Sequence, residues 1–303
     1  MILKMRGRTV AFPRRPLVMG IININDDSFC GDGSLEIEEV IETARRQIAA
    51  GADIIDAGGE SARTNRPEIT EEKESERILP FLARFQECCE GIGPVDDVQL
   101  FPPLLSINTW RAGVAERALH LGGDLLNDMS ALPTDENARI AADHGAGLLI
   151  MHSAGLPKQR QTDVQYADVM RTLDEFFEEK LHLATRAGVS CESIILDPGI
   201  DFAKQRNDNL RIYRELDKLR KFERPVLLPI SRKTVIGEVL GITEPTARDA
   251  GTIACVVAGA LRGASIFRVH NVRAVVQALR VIYPMVGGVK AKVQCFGFQV
   301  QSS

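Results

Sequence analysis

An aspartate, a lysine and an arginine–histidine pair stand at the ends of separate aliphatic runs, where they could recognise a flat, charged substrate. Asp197 opens the segment Asp-Pro-Gly-Ile, Lys233 ends Ser-Arg-Lys, and Arg268 and His270 close the last run. A carboxylate beside an asparagine, which both donates and accepts, suits a heterocycle with an N–C–N donor face. Asn127, at the end of another run, provides that asparagine.

Basic side chains from separate loops predict a site for a polyphosphate leaving group. Arg63 follows Gly-Gly-Glu-Ser after the second run, and Arg232 and Lys233 follow the seventh. Alternate residues of a strand point to the same face, so Arg268 and His270 can project into one pocket. The end of the last strand is also where barrels of parallel strands often hold phosphate.

Eight aliphatic runs, each followed by a stretch with helical periodicity, would position these residues. Continuous hydrophobicity is typical of strands that are buried on both faces in a parallel sheet covered by helices. Eight such units in about 250 residues predict a single-domain (β/α)8 TIM barrel over residues 17–285. Because active sites of these barrels lie at the strand C-termini, we expect the terminal polar residues to converge on one pocket. The runs and their polar ends are Leu17–Ile22 with Asn23, Ile54–Ile55 with Asp56, Leu104–Ile107 with Asn108, Leu125–Leu126 with Asn127 and Asp128, Gly147–Met151 with His152, Ile194–Leu196 with Asp197, Val226–Ile230 with Ser231–Lys233, and Ile266–Phe267 with Arg268 and His270.

Apolar residues at three- and four-residue spacing predict the helices between the strands. These are Leu35–Ala50, Thr70–Cys89, Arg111–Leu121, Asp135–His144, Val164–Ala187, Asn207–Lys221, Ala247–Arg262 and Val272–Pro284.

Composition is that of an ordinary globular protein, at 45% hydrophobic and 26% charged over 303 residues. A net charge of −4 argues against a general nucleic-acid binder. The apolar stretches are far short of a membrane span, and the basic N-terminus lacks the apolar core of a secretory signal. We expect residues 1–16 to pack under the barrel, whereas the tail 286–303 has no assigned role.

The six cysteines show no C-x-x-C spacing and no pattern of histidine partners. This spacing does not favour a zinc site. Reduced thiols in a cytosolic, hence cytoplasmic, protein are expected.

Eight motifs occur in order along nearly the whole chain: Met19–Asn23, Asp27–Phe29, Gly51–Asp56, Gly58–Ser61, Asn127–Asp128, Asp197–Ile200, Ser231–Lys233 and Arg268–His270. Together they resemble dihydropteroate synthase. Each motif is weak alone, but eight in order at compatible spacing are specific. The resemblance implies a TIM-barrel transferase of folate biosynthesis that joins 6-hydroxymethyl-7,8-dihydropterin diphosphate to 4-aminobenzoate and releases diphosphate with the help of Mg²⁺.

The family's functional residues carry over onto the matching positions of this chain. The resemblance implies a dissociative mechanism, in which diphosphate departs, a pterin methylene cation forms and the aminobenzoate nitrogen attacks it. Such chemistry needs charge stabilisation more than a strong base, and Lys233, Arg63, Arg268 and His270 are the expected catalytic residues. By resemblance, Asn108, Asn127, Asp197 and Lys233 bind the pterin; Asn23, Arg63, Arg268 and His270 bind the diphosphate; Asn23 binds the metal; and Ala62, Thr64 and Ser231 border the aminobenzoate.

The chain departs from the family at three places. Asn108 stands where the family has an aspartate, and the loss of a charged hydrogen bond predicts a cost of about 1–3 kcal/mol, or roughly ten- to a hundredfold. The first loop lacks the family's proline, and the second reads Ser-Ala-Arg-Thr-Asn in place of Ser-Thr-Arg-Pro-Gly. Because Ala62 and Thr64 reshape the aminobenzoate wall, we expect weaker inhibition by sulfonamides.

These departures leave two other functions open. One is a catalytically impaired or repurposed paralogue that binds a pterin. The other is a pterin methyltransferase serving a corrinoid partner, against which the basic residues argue because methyl transfer has no diphosphate to hold. In either case the partners are small molecules, with no nucleic acid and no membrane. The resemblance also suggests a homodimer through the late helices, where Ala254, Ala258 and Gly259 are small enough for close packing.

Three polar residues have structural interpretations of comparable weight. Asp56 could simply order the loop that follows it, and Glu60 could brace backbone amides as easily as bind substrate. His152 is expected to be a structural histidine rather than a catalyst.

Overall fold

Eight parallel strands alternate with helices and form a barrel, so the predicted TIM fold is confirmed. The computed structural model describes residues 1–26, 30–62, 66–159 and 163–285. Arg63 and Thr64, which carry predicted roles, lie outside these ranges, as does the tail 286–303.

A short antiparallel hairpin precedes the barrel. It consists of β1 (Ile2–Met5) and β2 (Arg8–Ala11). The barrel strands are β3 (Leu17–Asn23), β4 (Ile54–Gly58), β5 (Leu104–Asn108), β6 (Leu125–Asp128), β7 (Gly147–Met151), β8 (Ile194–Asp197), β9 (Leu227–Leu228) and β10 (Ile266–Val269). The helices are α1 (Ile37–Ala49), α2 (Glu71–Ala83), α3 (Ala112–His120), α4 (Glu136–Asp143), α5 (Val169–Arg186), α6 (Arg206–Arg214), α7 (Thr234–Leu240), α8 (Asp249–Leu261) and α9 (Val272–Met285), with short 3₁₀ helices at Phe85–Cys89, Cys191–Ser193, Leu216–Phe222 and Pro245–Arg248.

The strands pair in the order β8-β7-β6-β5-β4-β3-β10-β9. The two ends of this sheet meet where Leu196 of β8 bridges to Val226, and the Leu196 amide donates to the Pro225 carbonyl at 3.0 Å. The barrel is therefore nearly closed, and all strand C-termini open on one rim.

Alternation along the strands separates two apolar layers. Residues such as Val18, Ile55 and Phe267 point outward and pack under the helices. Their neighbours point inward and fill the lower barrel, where Leu3, Met5 and Val10 of the hairpin join them. The hairpin thus covers the N-terminal end of the barrel, and the inward positions near the C-terminal end are left for polar residues. The inward barrel residues are Leu17, Met19, Ile54, Leu104, Leu125, Leu149, Met151, Ile195, Leu227 and Ile266.

No helix among the described residues is long and apolar enough to cross a membrane.

Candidate active site

A pocket of about 280 Å³ opens at the C-terminal ends of the strands. A larger cavity, of about 900 Å³, lies at the opposite end beside the hairpin, and none of the predicted site residues lines it. The side chains predicted to bind substrate therefore identify the smaller pocket as the candidate active site. The predicted residues that line this pocket are Asn23, Ala62, Asn108, Ser231, Lys233, Arg268 and His270.

Asp56 forms the centre of a polar network beneath this pocket. Its carboxylate is fully buried and accepts from the Ser106 hydroxyl at 2.5 Å and from Arg268 Nε at 2.6 Å. Asn108 Nδ2 lies 3.3 Å from Asp56 Oδ2, and Asn127 Nδ2 lies 3.1 and 3.2 Å from the two carboxylate oxygens. Asp56 thus ties four strands together through their side chains, in addition to any ordering of its own loop, which the sequence left open.

Asn108 connects this network to the pocket. The residue is 4% exposed, and its Nδ2 group donates to Asp56. Its Oδ1 atom is buried and has no hydrogen-bond partner among the described residues. A buried acceptor at the pocket wall is suited to an N–H group of a ligand, because leaving it unpaired costs free energy.

Asp197 lies deeper, at the end of β8. The Gly199 amide donates to its Oδ1 at 2.7 Å, within the Asp-Pro-Gly turn. Burial raises the pKa of Asp197 to about 6, although this amide and the charges of Lys233, Lys204 and Arg268 oppose the shift. The side chain is 3% exposed and does not line the pocket itself.

Behind Asp197, Lys204 and His152 make a buried pair. Lys204 Nζ lies 2.8 Å from His152 Nδ1, and the His152 ring packs edge-on against Phe176 with centroids 4.8 Å apart. Burial lowers the pKa of His152 to about 3 and that of Lys204 to about 7. These contacts agree with the structural interpretation of His152, whose ring stays neutral at neutral pH.

Lys233 enters the pocket from the residue that precedes α7. The Lys233 ammonium lies 4.5 Å from the centre of the Phe202 ring, a distance at which a cation is attracted to the ring face. Burial lowers the pKa of Lys233, against the charges of Asp201 and Asp197. Asp201 also accepts from the amides of Thr234 and Val235, which fixes the start of α7.

His270 and Asn23 form the other edge. The His270 Nδ1 atom lies 2.8 Å from the Ser231 hydroxyl, and its Nε2 atom lies 3.7 Å from Asp32. Asn23 Nδ2 donates to the same Asp32 carboxylate at 3.0 Å. Burial lowers the pKa of His270 to about 4, so the ring is neutral near pH 7 and does not add the positive charge that the sequence suggested.

Arg232 also differs from the prediction. The sequence placed it beside Lys233 as a second cation of the pocket, but Arg232 has a positive φ of 59° and does not line the pocket. Its guanidinium forms two hydrogen bonds to Asp249, at 2.7 and 3.2 Å. The charge of Arg232 is therefore used to anchor α8.

Glu60 anchors the second loop. Its carboxylate accepts from the Ile69 amide at 3.1 Å and pairs with Arg111 at 2.7 Å and Lys158 at 3.0 Å. Arg111 continues to Glu74 at 2.5 Å. Glu60 thus braces a backbone amide, which is one of its two interpretations. It also belongs to an ion-pair network that the sequence did not reveal, because the members of the network come from three separate loops and a helix.

Comparisons with known proteins agree with this geometry. Residues 19–270 match the family described as pterin binding enzymes. Dihydropteroate synthase of Escherichia coli K12 is 34% identical over 268 residues, which cover 88% of this chain and 90% of that protein. A folate synthesis bifunctional protein of Arabidopsis thaliana is 35% identical over 282 residues, and the match spans 89% of this chain and 56% of that protein.

Solved structures show the same similarity. The dihydropteroate synthase of Yersinia pestis with a sulfonamide drug complex has a TM-score of 0.85 and 33% identity, covering 95% of this chain and all of that chain (100%). The enzyme of Thermus thermophilus in complex with 6HMPPP has a TM-score of 0.78 and 32% identity, covering 94% and 100%. By sequence and by fold, the chain belongs to the dihydropteroate synthase family of pterin binding enzymes.

Proposed function

We propose that this transferase condenses 6-hydroxymethyl-7,8-dihydropterin diphosphate with 4-aminobenzoate to give 7,8-dihydropteroate and diphosphate. The observation that carries the proposal is one pocket with buried acceptors in its floor and cations at its rim. The acceptors are Asn108 Oδ1 and the buried Asp197 carboxylate, and the cations are Lys233 and Arg268, whose charges act on Asp197.

The floor suits the pterin ring. The amide oxygen of Asn108 and the carboxylate of Asp197 would accept from ring N–H groups, and Asn127 would complete this face. Lys233 beside the Phe202 ring brings a cation and an aromatic face to the same wall, where a flat heterocycle can stack.

The rim suits the diphosphate. Arg268 pairs with Asp56 through Nε, and the two terminal nitrogens of its guanidinium can donate to phosphate oxygens. His270 and Asn23 would donate from the opposite edge, with Arg63 from the second loop. Positive charge here stabilises the negative charge that develops as diphosphate leaves.

Mg²⁺ would fit beside Asn23. Magnesium is usually held by one or two protein oxygens together with substrate phosphates and water. Asn23 offers an amide oxygen next to the Asp32 carboxylate, while the described residues contain no cluster of three His, Cys, Asp or Glu side chains able to hold a metal alone. The ion would neutralise charge on the departing diphosphate.

A coupled diphosphate-release assay tests the proposal. We expect release that requires both substrates and Mg²⁺, and a loss of at least about tenfold in Lys233→Ala because a charged hydrogen bond is removed. Arg232→Ala is the matched control, since the neighbouring cation pairs with Asp249 outside the pocket. If the intact protein binds the pterin diphosphate in calorimetry without turning it over, the repurposed paralogue is the better description.

We also propose weaker inhibition by sulfonamides than in relatives with Thr and Pro at positions 62 and 64. Ala62 lines the pocket and lacks the hydroxyl of threonine. Ala62→Thr combined with Thr64→Pro should lower the inhibition constant in the release assay. An unchanged constant would show that these two positions do not set sensitivity.

We further propose a homodimer through α8 and α9. Ala254 and Ala258, one turn apart, are exposed on α8, as are Leu261 and, on α9, Val281. Gly259 does not belong to this face, contrary to expectation: a Cβ there would meet Leu228 and Phe267 of the barrel. Ala258→Arg should convert a dimer to a monomer in light scattering, and a wild-type monomer would remove the idea.

A reducing, cytoplasmic compartment is proposed from the thiols. The described cysteines form no disulfide with one another, and burial raises the pKa of Cys88 to about 12. Alkylation of all of these thiols in freshly lysed cells, under denaturing conditions that expose the buried ones, would support this location.

A further inference from the structure

We propose that Asp56 supplies, one layer beneath the pocket, the negative charge that Asn108 lacks, and that it is the positioning residue for pterin binding. This inference rests on the proposed function. Asp56 has no contact with the pocket and is not among its lining residues, so it would act through Asn108, Asn127 and Arg268.

The strand register places Asp56 close to the side chains of the neighbouring strand that contact it. Asp56 lies opposite Ser106, and two residues further along, Gly58 lies opposite Asn108. A Cβ on Gly58 would come within 3.3 Å of the Asn108 Cβ. The absence of a side chain at Gly58 therefore gives Asn108 room to turn toward Asp56.

The carboxylate of Asp56 is saturated by donors. It accepts from Ser106 Oγ, Asn108 Nδ2, Asn127 Nδ2 and Arg268 Nε. A carboxylate has roughly four acceptor sites, so each of them has a donor here. Removing the charge at Asp56 would loosen all four side chains together.

This saturation fixes the orientation of Asn108. An ionised carboxylate can only accept, so Asn108 must turn its NH₂ group toward Asp56. The same Nδ2 lies 3.7 Å from the sulfur of Met129. The amide oxygen is then left as the buried atom without a partner at the pocket wall. Asn108 therefore presents an acceptor to the ligand, as an aspartate would.

An aspartate at position 108, as the family has, would meet Asp56 in a different way. It has no N–H group to give to Asp56, and two carboxylates at hydrogen-bond distance repel unless they share a proton. The pair Asn108–Asp56 is thus a matched donor and acceptor, and we expect it to offset part of the cost predicted for the lost charge.

Calorimetry with 6-hydroxymethylpterin, which carries no diphosphate, tests the inference on the full-length protein. We expect Asp56→Asn to weaken pterin binding about ten- to a hundredfold, the value of a charged hydrogen bond. Asn108→Asp should give no tighter binding than wild type. The double variant Asp56→Asn/Asn108→Asp should recover pterin affinity, because the amide introduced at position 56 would then donate to the carboxylate introduced at position 108.

The double variant also separates the two halves of the site. It restores a charged acceptor to the pterin but not the partner of Arg268, so the KM for pterin diphosphate should remain raised while the Kd for the pterin alone recovers. A purely structural role for Asp56 would instead lower the thermal midpoint and leave both variants equally impaired.

Asp53→Asn is the matched control. Asp53 immediately precedes the same strand, is fully buried and pairs with Arg15 at 3.1 Å, but at the opposite end of the barrel. Its variant should lose stability and keep the pterin Kd. Ser106→Ala, which removes one donor to Asp56 outside the pocket, provides a milder second variant if Asp56→Asn fails to fold, with an expected weakening of roughly threefold to tenfold.

The outcomes distinguish the two proposals. If the wild type turns over substrate but Asp56→Asn keeps a wild-type Kd for the pterin, only the positioning role is overturned. The same holds for Ser106→Ala if only that variant folds. Tighter binding in Asn108→Asp also overturns it. Failure of the wild type to bind any pterin removes the proposed function itself.

Discussion

Protonation of Asp197 should weaken pterin binding in mildly acidic solution. Burial raises the pKa of this carboxyl from 3.8 to about 6. In the proposed binding mode only the ionised form would accept from two ring N–H groups. Its population falls about tenfold between pH 7 and pH 5, so binding of 6-hydroxymethylpterin should weaken by roughly tenfold over that range.

Three cations face this carboxyl, and their states decide the shape of the titration. Lys233 and Arg268 lower the pKa of Asp197 from the pocket side, and Lys204 does so from behind. The pKa of Lys204 itself is lowered to about 7, so this amine is protonated through most of the acidic range. Lys204→Met would remove one favourable charge and should move the midpoint of the binding profile to higher pH.

The raised pKa of Asp197 affects folding stability in the opposite direction from pterin binding. Because the folded-state pKa of Asp197 exceeds its unfolded value, stability is full below about pH 4 and is lost as pH rises through about 6. The shift corresponds to a loss of about 3 kcal/mol above that range. Asp197→Asn should therefore raise the free energy of unfolding at pH 7 while it weakens pterin binding, the trade-off expected of a functional residue.

Calorimetry between pH 5 and pH 8 measures the first effect, and urea unfolding of the same samples measures the second. The pterin without diphosphate avoids titration of the phosphate groups. An affinity that stays constant across this range in wild type, or a pH dependence that persists in Asp197→Asn, would refute the role of this carboxylate.

Two further variants test the scaffold that positions the site. Glu60→Gln should lower the free energy of unfolding by about 3 kcal/mol in denaturant titrations, because it leaves the buried charge of Lys158 without its partner and removes one carboxylate from Arg111, which keeps Glu74. A change below about 1 kcal/mol would mean that water already screens this network. Gly259→Ala should lower the free energy of unfolding by about 1–3 kcal/mol through overpacking against two barrel strands. Ala258→Leu on the exposed face should leave the stability of a monomer nearly unchanged. Equal effects of the two variants would contradict the packing of α8.

The barrel could be predicted from the sequence because its signal is local. Each strand is a short apolar run, and observed strands such as β5 (Leu104–Asn108) and β7 (Gly147–Met151) coincide with the runs to within a residue. Strand β9 is shorter than its run, because Val226–Ile230 gives a strand of two residues. Pro225 and Pro229 flank that strand, and proline has no N–H group for the ladder.

Elements held by distant partners escaped prediction. Helix α7 has seven residues, with β-branched residues and a glycine, and so has little helical propensity of its own. Its first amides bond to Asp201, which lies more than thirty residues earlier in the chain. The β1–β2 hairpin was also missed, although alternation around Arg6-Gly7, both with positive φ, could have revealed it.

The site was predicted in composition but not in its pairings. Seven residues carried over from the family line the pocket, as strand-end positions require. Which of two neighbouring cations enters the pocket depends on the backbone at Arg232, whose positive φ turns it toward Asp249. The role of Asp56 depends on three other strands, and nothing within its own segment indicates those partners.

The pairing of Asp56 with Arg268 has a consequence for how the two halves of the substrate bind. One carboxylate contacts Asn108 and Asn127 of the proposed pterin floor and also Arg268 of the proposed diphosphate rim. If diphosphate draws Arg268 away, the negative charge of Asp56 is no longer balanced by the arginine and acts more strongly on the floor amides. The two ligands should therefore bind with a coupling free energy that is the same in both directions. Pterin affinity measured with and without free diphosphate, and the reciprocal titration, would reveal it; equal affinities, or a coupling that survives in Asp56→Asn, would show that this carboxylate does not connect the two sites.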